Sequence, residues 1–211
     1  MTQNRSTAVM QRRTEPHDSL DYFPTPPWAV RALCEWLRDE QQEPLGDQVC
    51  WEPACGELHM VRPLREYFGA VRASDVFRYH EDHAICDFPT VGASHAPVDW
   101  VITNPPFRLA TDFVQTGLKV ARRGVAMLVR SAFIEGVTRN RTLFSVLPPA
   151  FMLQFEERVV MLRGRVIRKG QPDPFNLDTS GEPRPASSAT AYCWLVWRQG
   201  DQDTRLRWLS T

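Results

Sequence analysis

Residues 98–107 read VDWVITNPPF, and this stretch decides the interpretation of the fold. Apolar residues dominate its first half, which predicts a buried β-strand. The strand ends at Asn104, where Pro105 and Pro106 stiffen the backbone and Phe107 places an aromatic ring beside the turn. An amide next to a rigid turn and a ring can hold a flat, nitrogen-bearing ring and accept hydrogen bonds from its amino group. The stretch therefore predicts a binding site at the end of a buried strand.

Strand and helix patterns alternate along the rest of the chain. Strands are predicted at 48–52, 71–76, 98–103, 125–129, 151–155, 159–162, 191–197 and 206–209, with a short strand or connection at 83–87. Helices are predicted after Pro26-Pro27, around 60–68, at 109–120 and, as a short piece, at 142–147. Such alternation is typical of an α/β fold with a mostly parallel sheet, whose ligands bind outside the carboxyl ends of the strands.

Polar side chains follow several of these predicted strands. Glu52, Asp75, Asp87 and Asn104 all fall at or near a carboxyl end. Because the carboxyl ends of parallel strands meet at one edge of a sheet, we expect the four side chains to line one ligand site.

The sequence EPACG at 52–56 is predicted to close the first strand and to open a helix. Gly56 lets the backbone turn and approach a ligand, and the helix amides then face the pocket. Asp75, 19 positions after Gly56, can accept hydrogen bonds from both hydroxyls of a ribose. Asp87 offers an acceptor for an adenine amino group, and Phe88 offers a ring to stack on it. These residue types favour a nucleoside-containing cofactor.

The charged residues are unevenly distributed. The chain has 25 basic and 25 acidic residues, and residues 1–100 hold 9 basic against 16 acidic, whereas 101–211 hold 16 against 9. Within 108–170 the count is 12 basic to 4 acidic, and this bias begins directly after the NPPF turn. It favours an anionic substrate such as nucleic acid. The alternative is a solvated, arginine-rich surface, since 23 of the 25 basic residues are arginine.

Composition argues against several protein classes. Five cysteines without a CxxC pair indicate neither a disulfide framework nor a zinc site, so no metal is expected. The N-terminus is polar and lacks the apolar segment of a signal peptide. No apolar stretch approaches the ~18 residues that a membrane-spanning helix needs. We therefore expect a cytoplasmic protein with reduced thiols and no membrane partner.

The length of 211 residues fits one domain. Residues 1–19 are expected to form a flexible tail and 20–211 a single domain. Residues 164–190 carry three glycines and four prolines and show little periodicity, which predicts a long loop. A structureless insert of this length is usually functional or disordered, and contact with nucleic acid is one function that it can serve.

The ordered motifs resemble those of the class I S-adenosylmethionine-dependent methyltransferases, in particular the N6-adenine DNA methyltransferases, including short phage and prophage forms. The resemblance runs from about Asp21 to Phe107 in motifs and to Trp197 in strand order. It implies a Rossmann-like fold with a seven-stranded, mostly parallel sheet, one antiparallel strand and helices on both faces. It also implies S-adenosylmethionine as cofactor and methyl transfer to N6 of adenine in DNA.

The resemblance gives roles to the matching residues. The implied cofactor-binding residues are Phe23, Thr25 and Pro26 at the methionine end, Glu52, Pro53, Ala54, Cys55 and Gly56 of the first motif, Asp75 at the ribose, and Asp87 and Phe88 at the adenine. The implied catalytic residues are Asn104, Pro105, Pro106 and Phe107. The Asn104 side-chain oxygen and the Pro105 carbonyl would each accept one N–H of the target amine, and Phe107 would stack on the base.

The chain departs from the family pattern at Leu58, where the family has a second glycine. If this position requires a positive φ, a leucine costs on the order of 1–3 kcal/mol, and its side chain would crowd the methionine moiety. The departure supports a different hypothesis, a non-catalytic methyltransferase-like module that binds nucleic acid. Within the enzyme class, RNA adenine and a protein glutamine amide are the alternative planar-nitrogen substrates.

A base in duplex DNA must leave the stack before it can be methylated, and basic side chains must hold the duplex meanwhile. Arginine suits this role because it contacts phosphates in a bidentate manner and can read guanine edges. The candidate nucleic-acid-binding residues are Arg108, Arg130, Arg139, Arg141, Arg163, Arg165, Arg168 and Lys169. The chain has no room for a separate target-recognition domain, so sequence reading would come from 130–145 and 164–190 or from a second subunit, or would be slight.

Overall fold

The structure is a computed structural model that describes residues 23–210, apart from 93, 94, 163, 165 and 202. The tail predicted at 1–19 lies outside the described residues. The helices are α1 (Pro27–Glu35), α2 (Val61–Leu64), α3 (Ala110–Val120) and α4 (Val137–Arg139). Single π-helical turns at Trp36–Glu40 and Asn140–Phe144 continue α1 and α4, and 3-10 turns lie at Leu45–Asp47, Phe88–Thr90 and Ser131–Ile134.

The strands form one large sheet and one small hairpin. In chain order they are β1 (Val49–Glu52), β2 (Ala70–Asp75), β3 (Ala84–Ile85), β4 (Val98–Thr103), β5 (Ala121–Arg130), β6 (Phe151–Phe155), β7 (Pro172–Leu177), β8 (Pro183–Pro185), β9 (Tyr192–Arg198) and β10 (Arg205–Leu209). The large sheet has the order β10-β6-β9-β5-β4-β1-β2-β3, and β7 pairs with β8. Within the large sheet, β9 runs antiparallel to both of its neighbours, β5 and β6, and the other pairs are parallel.

This architecture confirms the predicted α/β fold with a mostly parallel sheet and one antiparallel strand. Among the described residues the sheet has eight strands, whereas the family resemblance implied seven. The strand predicted at 206–209 is β10, which pairs in parallel with β6 at the edge of the sheet, and its residue Leu209 is buried. The predicted helix at 109–120 is α3, one residue shorter.

Strand β4 lies inside the sheet and is covered on both faces. Trp100 and Ile102 belong to one apolar cluster, which includes residues of α1, and Val101 belongs to the second, which includes residues of α3. Successive side chains of a strand point to opposite faces of the sheet. A continuous apolar run is therefore what a strand between two helical layers requires, and this explains why residues 98–103 lack a polar alternation.

Two predictions outside the sheet core are wrong. The strand predicted at 159–162 is absent from the described residues; Val159, Val160 and Met161 are buried in an irregular segment instead. An apolar run reports burial, and burial alone does not specify strand pairing. The insert at 164–190 is not structureless, because it contains the hairpin of β7 and β8, joined by the turn at Gly181.

A buried carboxylate ties several elements together at the end of the sheet opposite to Asn104. Glu43 accepts hydrogen bonds from Arg123 at 2.9 Å, from Arg198 at 2.8 Å and from Gln48 at 3.0 Å. Gln48 accepts in turn from the indole N–H of Trp100 at 3.0 Å. The network connects the residues before β1 with β4, β5 and β9, and it thereby stabilises the sheet that carries the site.

Candidate active site

The carboxyl ends of three neighbouring strands meet at one edge of the sheet, in the spatial order β4-β1-β2. Glu52 ends β1, Asp75 ends β2, and Thr103 ends β4 directly before Asn104. The hydroxyl of Thr103 donates to Glu52 Oε1 at 2.5 Å, and the backbone N–H of Gly56 donates to Asp75 Oδ2 at 3.0 Å. The structure therefore brings together three of the polar residues that the sequence predicts at this edge.

Asn104 is held by the segment that precedes α1. Its Nδ2 donates to the backbone oxygen of Phe23 at 2.9 Å and to Oγ1 of Thr25 at 3.1 Å, and Sδ of Met161 lies 3.8 Å from the same nitrogen. Since the two Nδ2 hydrogens are directed at protein acceptors, Oδ1 is the atom of the amide that can accept an N–H from a ligand. The half-buried side chain is thus oriented as an acceptor.

Phe23 and Thr25, which the resemblance assigns to the methionine end of the cofactor, are buried against residues 104–107, the candidate catalytic loop. Both bond to Asn104, from which 81 and 79 positions separate them in the sequence. Pro26 is buried at the start of α1. The sequence analysis missed the orienting function of this segment, because a hydrogen bond across such a distance leaves no local signal in the sequence.

The two prolines complete the catalytic loop. Pro105 is buried and Pro106 is half-buried. The carbonyl of Pro106 accepts a hydrogen bond from the backbone N–H of Leu109 at 2.9 Å, directly before α3 begins. The loop is therefore fixed at both ends, by β4 and by α3.

The ring of Phe107 is packed on several sides. It stacks on Phe23 with 5.6 Å between ring centroids and an interplanar angle of 28°, and it lies 6.5 Å from the ring of Tyr192. The guanidinium carbon of Arg130 stands 4.2 Å from the ring centroid. Packing against Phe23 and Arg130 therefore fixes the orientation of the ring.

Glu52 is a fully buried carboxyl group at the end of β1. Its Oε1 accepts from the hydroxyl of Thr103 and from the backbone N–H of Ala54, whereas Oε2 is buried with no hydrogen-bond partner among the described residues. Burial raises the pKa of Glu52 to about 8, against the lowering effect of those two hydrogen bonds. A neutral carboxyl group is therefore favoured here until a cationic group comes near.

The chain turns sharply after β1 through residues 53–60. Gly56 and Leu58 have positive φ values of 48° and 67°. Because neither conformation is helical, the prediction that EPACG opens a helix directly is wrong, and α2 begins only at Val61. The turn is held by the backbone N–H of Cys55, which donates to the Ser74 carbonyl at 3.0 Å.

Leu58 adopts the left-handed conformation that the family's glycine position suggested. Its side chain is 3% exposed and packs with Cys55, Val61 and Ala73 in a small cluster of its own. The leucine therefore buries its side chain inside the protein while the backbone keeps the strained geometry.

Asp75 combines burial with two backbone hydrogen bonds. Its Oδ2 accepts from the N–H of Gly56, and its Oδ1 accepts from the N–H of Phe77 at 3.1 Å. Each carboxylate oxygen has a second lone pair, so it can also accept a ligand hydroxyl. Val76 and Phe77, next to it in sequence, are about half exposed. The end of β2 thus offers a carboxylate beside apolar surface.

The two residues proposed for adenine contact lie in different environments. Asp87 is exposed, directly before the 3-10 turn, whereas Phe88 is 1% exposed. The ring of Phe88 lies 5.0 Å from that of Trp51 and 5.2 Å from that of Phe113. This ring fills the core between the sheet and α3, so the prediction that it stacks on adenine is wrong.

The loop after β2 contains a histidine that the sequence analysis did not single out. His83 is buried, its Nε2 accepts from the backbone N–H groups of Tyr79 and His80, and its Nδ1 lies 2.9 Å from the Ala84 carbonyl. Because Nε2 accepts these two hydrogen bonds, Nδ1 is the ring nitrogen that can donate to that carbonyl. The imidazole of His83 shapes the loop that adjoins Asp75.

The proposed nucleic-acid-binding residues are not equivalent. Arg139 is engaged in contacts within the protein. It donates to the carbonyls of Phe133 and Glu135, and its guanidinium stacks on the Phe133 ring. Lys169 lies 3.4 Å from Glu157 in an exposed ion pair. The residues Arg108, Arg141 and Arg168 are exposed, Arg130 is half-buried, and Arg163 and Arg165 lie outside the described residues.

A shallow cleft of about 180 Å³ lies beside the Thr25 segment. Its lining residues are Pro26, Pro27, Trp28, Arg31, Val166, Ile167 and Arg168. Trp28 packs edge-on against Phe155 with 5.3 Å between centroids, and Arg31 forms a bidentate pair with Glu66. Arg168 is exposed at the rim. The cleft combines an aromatic ring with basic side chains near the catalytic loop.

Among the described residues, no group of three or more histidine, cysteine, aspartate or glutamate side chains is arranged to hold a metal ion. In the same residues, no helix has the length and apolar character needed to cross a membrane.

Comparison of the fold with solved structures places it among known architectures. A candidate RNA methyltransferase from Pyrococcus horikoshii superposes with a TM-score of 0.59 at 15% identity, over 88% of this chain and 91% of that one. The fold is that of Rossmann-like methyltransferases. No protein-family model and no curated protein matches the sequence.

Two methyltransferase components of restriction systems also share the fold. The methyltransferase subunit of a type I restriction-modification system from Streptococcus thermophilus has a TM-score of 0.53 at 10% identity, over 87% of this chain. The modification subunit of a candidate type I restriction enzyme from Vibrio vulnificus has a TM-score of 0.52 at 14% identity, over 88% of this chain. The chain spans 46% of the length of each of these subunits.

Proposed function

We propose that the protein transfers a methyl group from S-adenosylmethionine to the N6 amino group of adenine in DNA. The observation that carries this proposal is the orientation of Asn104. Its amide nitrogen is bonded to Phe23 and Thr25, so its oxygen is left to accept an N–H of the substrate. The same edge of the sheet carries Glu52, which is bonded to Thr103 directly before the loop, and Asp75 at the end of β2.

The residues at this edge suit the cofactor. S-adenosylmethionine carries positive charge on its sulfonium and ammonium groups and two hydroxyls on its ribose. Glu52 has a buried oxygen that lacks a hydrogen-bond partner among the described residues, and Asp75 has a carboxylate beside the exposed side chains of Val76 and Phe77. We assign the cationic end to Glu52 and the ribose to Asp75. The bound cofactor supplies an electrophilic methyl group.

The protein's own residues would activate the amine by positioning it. An exocyclic adenine amine is a poor nucleophile, because its lone pair is delocalised into the ring. Asn104 Oδ1 and the Pro105 carbonyl each accept one N–H, which draws the amine toward tetrahedral geometry and localises the lone pair. Phe107 holds the plane of the base. The methylated amine is cationic and releases its proton to water, so the reaction requires no strong base.

Nucleic acid is the substrate class that charge favours. The segment 108–170 carries 12 basic and 4 acidic residues, and Arg168 stands at a cleft that also contains Trp28. Aromatic and arginine side chains together bind single-stranded nucleic acid by stacking and by phosphate contacts. The restriction-system subunits that share the fold are named as modification or methyltransferase subunits, which favours DNA, and the Pyrococcus protein makes RNA the alternative.

The proposal is tested by incubating the protein with S-adenosylmethionine and either DNA or RNA, followed by mass spectrometry of the nucleosides. N6-methyladenine in DNA supports the proposal, methylation of RNA alone changes the substrate to RNA, and no product in either overturns it. Asn104→Ala is expected to lower the rate by about 100-fold or more. Asn140→Ala, in the exposed π-helical turn, is the control. Equal rates for Asn104→Ala and the wild type would remove the catalytic role of Asn104.

The backbone of Leu58 favours a second candidate, a non-catalytic module that binds nucleic acid. A leucine at φ 67° is strained at a position where the family has glycine. This candidate predicts oligonucleotide binding together with no heat of S-adenosylmethionine binding in titration calorimetry. Cofactor binding with an ordinary calorimetric signal would exclude it.

A further inference from the structure

The side chain of Arg130 lies where a substrate ring would have to go. Arg130 ends β5, and its guanidinium carbon stands 4.2 Å from the centroid of the Phe107 ring. At this distance the guanidinium is in van der Waals contact with the ring, and a flat ligand cannot occupy the same face. Phe23 also stacks on Phe107 but is 5% exposed and belongs to the core. Arg130 is half-buried, so it is the neighbour that can move.

The donors of Arg130 are poorly used within the protein. Among the described residues, its buried Nε has no hydrogen-bond partner and no carboxylate pairs with its guanidinium. Arg123 and Arg198, by contrast, share the buried carboxylate of Glu43, and Arg139 bonds to backbone carbonyls. A buried donor without an acceptor is unfavourable, and the acceptor can come from a ligand.

Phosphate oxygens are the acceptors that match a guanidinium best, because they are anionic and accept two parallel N–H groups. Arg130 stands beside the catalytic loop, since β5 is the parallel neighbour of β4 and its Met127 pairs with Thr103. A phosphate attached to a base that stacks on Phe107 would therefore come within reach of a guanidinium displaced from that ring.

We propose that Arg130 covers the stacking face of Phe107 until a nucleotide enters, and then binds the phosphate of that nucleotide. The inference rests on the proposed function and narrows its substrate class to phosphate-bearing nucleotides. A nucleotide replaces the contact between guanidinium and ring by a phosphate contact. Free adenosine or a protein glutamine amide would have to displace Arg130 without such a replacement, and each is therefore a poorer substrate.

The first test measures equilibrium binding, which does not depend on methyl transfer. The probe is a short, fluorescein-labelled single-stranded oligonucleotide with one adenine, and anisotropy is measured at several salt concentrations. Arg130→Met is expected to weaken binding on the order of tenfold and to reduce the slope of log affinity against log salt by about 0.7, the value for one phosphate contact on a single strand. Arg122→Met, an exposed arginine near the other end of β5, should change neither the affinity nor the slope by as much.

The second test separates phosphate binding from simple support of the Phe107 ring. If Arg130 acts on the phosphate, Arg130→Met raises KM for the oligonucleotide and leaves kcat within about threefold, while adenosine is methylated at least as well as by the wild type. Arg130→Lys keeps the charge and should retain most of the salt slope. If a melting experiment shows that Arg130→Met is unstable, Arg130→Lys replaces it as the test variant.

Two results would overturn the inference. One is an Arg130→Met protein that binds the oligonucleotide with the affinity and salt slope of the wild type. The other is an equal loss of kcat on oligonucleotide and adenosine, which would show that Arg130 only supports the ring. A wild-type protein that binds the oligonucleotide through Arg130 but methylates nothing would instead refute the proposed function and leave the binding role of Arg130 standing.

Discussion

The hydroxyl of Thr103 donates a hydrogen bond of 2.5 Å to the buried carboxyl group of Glu52. Thr103 is the last residue of β4 and Glu52 is the last residue of β1, so this bond fixes the start of the catalytic loop relative to the cofactor motif. A hydrogen bond to a group without solvent contact is stronger than the same bond in water. The protonation state of Glu52 therefore bears on both halves of the site.

Stability should fall as the pH rises because of Glu52. Burial raises its pKa from 4.5 to about 8, so between these values the native state holds a proton that the unfolded state has released. The unfolded state then binds fewer protons, and the free energy of unfolding decreases from about pH 5 to pH 8. We expect Glu52→Gln, which resembles the protonated carboxyl group, to reduce that decrease by a few kcal/mol in urea titrations at several pH values. The exposed Glu40→Gln is the control, and identical pH dependence in both variants would contradict the assignment.

Thr25 should affect the rate without affecting substrate binding. Thr25→Val removes one of the acceptors that orient Nδ2 of Asn104, while the carbonyl of Phe23 keeps the other. One net hydrogen bond corresponds to about 1 kcal/mol, or about fivefold in rate. We expect a loss of this size in single-turnover rate with an unchanged KM.

A matched control for Thr25 is available elsewhere in the chain. Thr204, directly before β10, also has a hydroxyl that is bonded within the protein. This hydroxyl donates to the Pro149 carbonyl. Thr204→Val should lower the melting temperature but leave the single-turnover rate unchanged. If Thr25→Val were as active as Thr204→Val, the hydroxyl of Thr25 would not orient Asn104.

The sequence predicted those parts of the fold and site that depend on local pattern. The apolar runs of β4 and β5 identify themselves, because strands buried on both faces need an unbroken series of apolar side chains. The NPPF turn and Asp75 could be placed at strand ends because each lies at the end of a strand that the sequence predicts. The segment 159–162 was misread, because burial against the catalytic loop produces the same apolar run as a strand.

Other features depend on contacts that no local pattern carries. The hydrogen bond from Asn104 to Phe23 spans 81 positions, and the contact of Arg130 with Phe107 arises from the register of β5 against β4. In the sequence, Phe88 could equally be a ligand contact or a core residue. Its packing against Trp51 and Phe113 shows that it is a core residue.

Leu58 should act on stability more than on cofactor affinity. Its side chain packs away in the cluster of Cys55, Val61 and Ala73, although its backbone is strained at φ 67°. Leu58→Ala keeps the backbone strain but removes most of the buried side chain. We expect this to lower the free energy of unfolding by about 2–4 kcal/mol. Leu58→Gly relieves the strain and should be about 1 kcal/mol more stable than the alanine variant.

Calorimetric titration of these variants with S-adenosylmethionine completes the test of Leu58. We expect the dissociation constant of Leu58→Gly to stay within about threefold of the wild type, because the removed side chain is buried among Cys55, Val61 and Ala73. A glycine variant that binds tightly when the wild type does not bind would show instead that the leucine has closed the cofactor site.

Asp75 should affect cofactor binding, and the chain provides a closely matched control. Asp75→Ala removes a carboxylate that accepts from Gly56 and Phe77, and we expect the dissociation constant of S-adenosylmethionine to rise about tenfold or more, as for loss of a charged hydrogen-bond acceptor. Asp99, near the start of β4, accepts from the backbone N–H of Val49, the first residue of β1, at 2.8 Å. Asp99→Ala should lower stability to a similar degree and leave cofactor affinity unchanged. Equal affinities in the two variants would remove Asp75 from the site.

Glu43 should be the carboxylate whose loss destabilises the fold most without reaching the site. Its side chain is 2% exposed and accepts from Arg123, Arg198 and Gln48. Glu43→Gln leaves two guanidinium groups without their anion, and because both arginines are partly exposed we expect a loss of about 2–3 kcal/mol, below the range for fully buried pairs. Urea unfolding measures this loss. The exposed Glu66→Gln, which breaks a surface pair with Arg31, should cost clearly less, because solvent screens an exposed ion pair. Similar losses in both variants would show that solvent screens the Glu43 network as well, and that the sheet owes its rigidity at this end to apolar packing instead.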